Sequence, residues 1–203
     1  MASPEQNNKT ETDGERRTRG FVVWMTGLPA AGKSTLAKLL QKRLLDGSSS
    51  NSGSRYIEIL DGDEIRRGLS RDLGMSKEDR EEHARRVSFL AKVLARNDVI
   101  SIVALISPYR KSREEARETI GRDRFVEVYV KASLNTCEKR DPKGLYAKAR
   151  RGEINNMTGI QDPYEEPENP DIVIDTEKLG PEECADMLIK ELHRLGYLHS
   201  NGR

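Results

Sequence analysis

Phe21-Val22-Val23-Trp24-Met25-Thr26 is a short apolar run, and after it the period of the chain changes. Leu36, Ala37, Leu39, Leu40, Leu44 and Leu45 recur at helical spacing, which predicts a buried strand followed by an amphipathic helix. Tyr56-Ile57-Glu58-Ile59-Leu60 reads as a second strand. Ser76 with Asp79 three residues later is a variant of the helix-capping box, and it predicts the start of a long helix. The inner face expected for that helix includes Val87, Leu90, Val93 and Leu94. Val99 to Ile106 is nearly continuous apolar sequence, the pattern of a central parallel strand covered on both faces. A helix from about Ser112 to Ile120 and a strand from Phe125 to Val130 follow. Ile172-Val173-Ile174 gives a last strand, and Pro181 opens a final helix.

This alternation predicts the α/β class: a parallel sheet with helices on both faces, wound with right-handed crossovers. Between the fourth and fifth strands, Asp141 to Asn169 is rich in Gly, Pro, Lys, Arg and Asn and has weak periodicity. So long a stretch without structure is usually functional or mobile, and it reads as a lid over about 141–169. Residues 20–198 are expected to form one domain, with a disordered polar tail at 1–19, a short tail at 199–203 and a flexible serine-rich connector at 47–54. In such sheets ligands sit at the carboxyl ends of the strands. Gly27 to Thr35, Asp61 to Arg67, Ile106 to Arg110 and the segment after Val130 are therefore the candidate working parts.

The 203 residues are enough for one domain with a sizeable core. Thirty-five basic against 34 acidic residues leave a formal net charge of +1, so no bulk charge points to nucleic acid or to a membrane surface. No apolar run approaches the length of a membrane span, and no secretory leader is expected. The two cysteines, Cys137 and Cys184, have neither disulfide-framework nor metal-ligand spacing. A reducing, cytoplasmic setting is the expectation.

Gly27-Leu28-Pro29-Ala30-Ala31-Gly32-Lys33-Ser34-Thr35 fits G-x-x-x-x-G-K-S/T, and it lies between a predicted strand and a predicted helix. Glycines let the backbone fold into a nest of N–H donors around phosphate oxygens, and the helix N-terminus adds its positive end. Lys33 is expected on the β- and γ-phosphates, and Ser34 on the Mg²⁺ that accompanies ATP. A guanine-reading Asn-Lys-x-Asp is missing, and the strand Val99 to Ile106 ends in Ser107 rather than in an acid. A switch GTPase or a large motor ATPase therefore fits less well than a small phosphotransferase. Asp61 and Asp63 at the end of the second strand suit proton removal from a hydroxyl and the ordering of metal-bound water. Arg66, Arg67 and Arg80 supply forks for an anionic acceptor.

These motifs resemble the adenylyl-sulfate kinase (APS kinase) family of P-loop kinases over Phe21 to Leu195. The resemblance is carried by the phosphate loop, by Leu60-Asp61-Gly62-Asp63-Glu64-Ile65-Arg66 and by Asp72-Leu73-Gly74-Met75-Ser76 with Asp79-Arg80. Ile106-Ser107-Pro108-Tyr109-Arg110, Cys137 to Tyr146, Thr158-Gly159-Ile160 and Pro163-Tyr164-Glu165 complete it. It implies phosphorylation of the ribose 3′-hydroxyl of adenylyl sulfate by Mg-ATP, in sulfate assimilation. By resemblance, Asp63 orients or deprotonates that hydroxyl, while Arg66, Arg80 and the Ile106-Ser107 backbone bind the acceptor, with the arginines on the phosphosulfate. Ser107 also matches the family's phosphoserine position, although binding or polar positioning explains a serine there equally well. Arg140 and Lys143 match the lid, where they neutralise charge on the transferred phosphoryl group. The resemblance further implies a homodimer and association with ATP sulfurylase.

Three positions depart from the family pattern. Phenylalanines that sandwich the acceptor's adenine are replaced by Met75 and Met157, and an asparagine by His83. With Thr158 and Gly159 these complete the implied acceptor set. Methionine is apolar and polarizable, so it can cover a base face. Two other readings stay open beside the leading one: a kinase of the same build with another nucleotide acceptor, and a catalytically silent nucleotide-binding domain.

Overall fold

The computed structural model describes residues 19–47 and 56–198. The expectations for residues 1–18, for the connector beyond Gly47 and for the 199–203 tail fall outside the described residues. Five strands, β1 (Val22–Thr26), β2 (Tyr56–Asp61), β3 (Val99–Ala104), β4 (Phe125–Lys131) and β5 (Ile172–Asp175), form one sheet in the order β2-β3-β1-β4-β5. Every pairing is parallel. The helices are α1 (Lys33–Asp46), α2 (Gly62–Arg67), α3 (Lys77–Arg96), α4 (Arg110–Ile120), α5 (Leu134–Arg140), α6 (Leu145–Arg150) and α7 (Pro181–Arg194), with a 3₁₀ turn at Arg122–Arg124.

Strand alternation divides the core between the two faces of the sheet. Val23 and Met25 pack with Ile100, Ile102, Val126 and Val128 against α1 and α7. Val22 and Trp24 pack with Val103 and Phe125 against α3 and α4. The capping box that opens α3 is formed in both directions, from Ser76 to the Asp79 N–H and from Asp79 to the Ser76 N–H. The inner face of α3 holds more small residues than the expected set. Ala84, Val87, Ala91 and Ala95 are buried, while Leu90 and Leu94 are only partly covered. Small residues thus make up much of the buried side of this 20-residue helix.

The structure corrects one expectation and supplements another. The 141–169 stretch is not structureless, because α6 lies within it, started by Asp141, whose carboxylate accepts the N–H groups of Tyr146 and Ala147. Two short helices, α2 and α5, also follow β2 and β4 directly. Among the described residues no helix is long and apolar enough to cross a membrane.

Candidate active site

A cleft of about 770 Å³ opens at the carboxyl ends of the strands. One wall is the loop between β1 and α1. Gly27 has no room for a side chain, since a Cβ would lie 2.4 Å from the Val130 carbonyl. Gly32 caps α1 at a left-handed φ of 108°, and no side chain caps the helix. Its first-turn N–H groups are therefore left for an anion, where the helix dipole also favours negative charge. Ala30 is left-handed too, at φ 61°, a strained state for a residue with a Cβ.

Lys33 lies along this loop and donates to the carbonyls of Gly27 and Leu28 at 2.8 and 2.7 Å. Burial pulls its pKa down to about 8, against smaller upward pulls from Cys137, Asp61 and Asp63. An ammonium held with so little water is set to gain from an incoming phosphate. The Ser34 hydroxyl donates to Asp61 at 2.7 Å. Burial raises the Asp61 carboxyl, but the Ser34 hydroxyl, the Asp63 and Glu64 N–H groups and the Lys143 charge outweigh it, so its pKa lies below the usual range. Asp61 also caps α2, accepting the Asp63 N–H at 3.0 Å.

The opposite wall gathers the acceptor-side candidates. Asp63 is ion-paired with Lys143 across the cleft. Arg66 donates to the Gly74 carbonyl at 2.8 Å, and burial, then the Arg80 charge, lowers its pKa. Arg80 donates to Met75 O at 3.0 Å, to Thr158 Oγ1 at 2.8 Å and to Asn156 O. It thereby ties the lid to α3. His83 is buried, its Nδ1 is 3.0 Å from the Ser70 hydroxyl, and its Nε2 has no hydrogen-bond partner. Burial, then the charges of Arg66 and Arg86, lowers its pKa to about 4, so the ring is neutral near pH 7. Met75 is half exposed on this wall, whereas Met157 is packed into the main core. The two methionines are therefore not equivalent covers for a ring.

Pro29, Ala30, Gly32, Lys33, Ser34, Thr35, Asp61, Asp63, Arg66, Met75, Arg80, His83, Ile106, Ser107, Arg140, Lys143, Met157 and Thr158 all line the one cleft. Gly27, Leu28 and Ala31 support the loop from outside the cavity wall, and Gly159 faces a separate depression with Leu28 and Leu134. Arg140 donates to the hydroxyl and carbonyl of Thr176 at 2.9 and 2.6 Å. Thr176, Leu179, Pro181 and Cys184 extend the phosphate-loop end of the cleft, and none of the four was a candidate site residue in the sequence. They follow the last strand, so the carboxyl-end rule applied to β5 would have found them.

Residues 19–175 match the family model for adenylylsulphate kinase. The chain belongs to the adenylyl-sulfate kinase family. It is 51% identical over 184 residues to the adenylyl-sulfate kinase of Halothermothrix orenii, covering 91% of this chain and 95% of that one. It is 53% identical over 179 residues to a probable adenylyl-sulfate kinase of Pyrococcus abyssi, covering 88% and 98%. Among solved structures, it is similar to the Mycobacterium tuberculosis APS kinase CysC in complex with AMPPNP and APS. That match has a TM-score of 0.80 and 42% identity, and it covers 86% of this chain and 98% of the other.

Proposed function

We propose that this protein transfers the γ-phosphoryl group of ATP to the ribose 3′-hydroxyl of adenylyl sulfate, giving 3′-phosphoadenylyl sulfate and ADP. The observation that carries this reading is the cleft itself. It joins a phosphate loop on one wall to Asp63, Arg66 and Arg80 on the other, within a chain of this family. Positioning and charge neutralisation are most of what phosphoryl transfer needs. The convergence of Lys33, Ser34 and Asp63 on this one cavity speaks against a silent domain.

The loop N–H groups and Lys33 hold the β- and γ-phosphates, with Lys33 leaving the Gly27 and Leu28 carbonyls to do so. Among the described residues no group of three or more His, Cys, Asp or Glu is placed to hold a metal. The adjacent Ser34 hydroxyl and Asp61 carboxylate fit Mg²⁺, which takes one or two protein oxygens and otherwise relies on phosphate and water. Ser34 would ligate it and Asp61 would hold its water. The ion supplies neutralisation of charge on the phosphates. Arg66 and Arg80 meet the phosphosulfate, and Asp63 orients the 3′-hydroxyl and takes its proton. Lys143 leaves Asp63 for the phosphoryl group in transfer as the lid closes. Homodimerisation, association with ATP sulfurylase and a cytoplasmic setting belong to the same proposal and rest on the family resemblance.

The test is ADP release with Mg-ATP and either adenylyl sulfate or a CDP-type acceptor, for the wild type and Asp63→Ala. Turnover with adenylyl sulfate, lowered about 10²- to 10⁴-fold in the variant, is expected. Equal ADP production by both proteins, or a clear preference for the other acceptor, would refute the assignment.

A further inference from the structure

Ser107, which faces the cleft just beyond β3, is held by more than packing. Its backbone is left-handed at φ 42°, a conformation that costs a serine on the order of 1–3 kcal/mol. Its carbonyl accepts Arg113 Nη1 at 2.6 Å and the Thr26 hydroxyl at 3.4 Å. Its hydroxyl oxygen accepts the indole N–H of Trp24 at 3.1 Å. Trp24 is fully buried and Arg113 is 3% exposed. Arg113 is fixed in turn by Glu127 Oε1 at 2.8 Å and by the Glu165 carbonyl at 2.7 Å.

The direction of the Trp24 bond matters. An indole N–H only donates, so it takes a lone pair of Ser107 Oγ and leaves the hydroxyl hydrogen for another partner. Among the described residues no His, Asp or Glu side chain is hydrogen-bonded to that hydroxyl, so no base is in place to make it a nucleophile. We infer that Trp24 and Arg113 are positioning residues that present the Ser107 hydroxyl as a hydrogen-bond donor to an oxygen of the bound acceptor. Trp24 sets the polarity of the hydroxyl, and Arg113 sets the backbone that carries it. A core tryptophan and a buried ion pair thus define one contact of the acceptor pocket. The inference rests on the acceptor assignment made above.

Trp24 is the single tryptophan of the chain, so ¹⁵N-labelled protein gives one indole N–H resonance. Adenylyl sulfate added without ATP should shift that resonance. In Ser107→Ala the resonance should differ already in the free protein and should no longer respond to the acceptor. In kinetics, Trp24→Phe should raise the KM for adenylyl sulfate about three- to tenfold, the worth of one hydrogen bond, with the KM for ATP unchanged. On the Ser107→Ala background it should add nothing. An unresponsive wild-type indole, an equal response in Ser107→Ala, additive kinetic effects, or phosphate incorporated into Ser107 would overturn the inference. The wild-type spectrum decides even if Trp24→Phe does not fold. Normal turnover with a silent indole sinks this inference alone, whereas no turnover of adenylyl sulfate sinks the functional reading and this one with it.

Discussion

Nucleotide binding should draw a proton onto Lys33. Burial holds this lysine at a pKa of about 8 in the free protein, well below its ordinary 10.5. Phosphates arriving within hydrogen-bond reach favour the ammonium and push the value back up. At pH 8 about half of the free protein carries neutral Lys33, so binding a non-hydrolysable ATP analogue should take up about half a proton. At pH 7 the uptake should fall to about 0.1 proton, and at pH 9 it should rise to about 0.9. Calorimetry in two buffers of different ionisation enthalpy reads this number directly. Lys33→Met removes the titrating group, and the difference between the two proteins isolates its share. No uptake by the wild type at pH 8, or the same uptake in Lys33→Met, would refute the reasoning.

The same shift has a stability consequence. A folded-state lysine pKa below the unfolded value means that the unfolded chain binds more protons, so this group makes the wild type more stable as pH rises from about 8 towards 10.5. Lys33→Met should lack that increment, which urea unfolding at pH 7.5 and 10 would show as a smaller pH dependence. Arg113→Met should lose about 3–5 kcal/mol, because Glu127 is left buried without its main partner, and Arg113→Met/Glu127→Leu should recover much of the loss. A loss under about 1 kcal/mol in urea unfolding would show that the pair is not the restraint described. Met75→Phe should tighten adenylyl sulfate about three- to tenfold by calorimetry, since a flat ring adds stacking that a thioether lacks. Unchanged affinity would mean that this wall does not face the base. Ser34→Ala should raise the magnesium needed for half-maximal rate about tenfold, equivalent to about 1.4 kcal/mol of lost metal binding, and an unaltered requirement would remove Ser34 from the metal site.

The strands were legible as apolar runs such as β1, the helix α1 by its 3.6-residue period, α3 by its capping box and α7 by Pro181 at its start. Helices α2, α5 and α6 have six or seven residues each, less than two turns, too few for a period to stand out. They are started locally instead, by the caps of Asp61 and Ser133 and by the Asp141 carboxylate. The inner face of α3 was legible in part: Val87, Leu90 and Leu94 do pack on the core, but Ala84, Ala91 and Ala95 are buried beside them and were not named because alanine carries little hydropathy. In the site, residue types at the strand ends were readable, and most of the named positions do line one cavity. Pairings across the chain were not. Ser34 with Asp61, Asp63 with Lys143 and Arg80 with Thr158 join residues 27, 80 and 78 positions apart. Glu127 looks anomalous inside an apolar strand until Arg113 is seen opposite it.

The most direct test is the identity of the product. Phosphorus NMR of a reaction containing the full chain, Mg-ATP and adenylyl sulfate should show ADP together with a new phosphomonoester coupled to the ribose H3′, with the phosphosulfate intact. Phosphate appearing only as the inorganic ion, or on any atom other than the 3′-oxygen, would contradict the account.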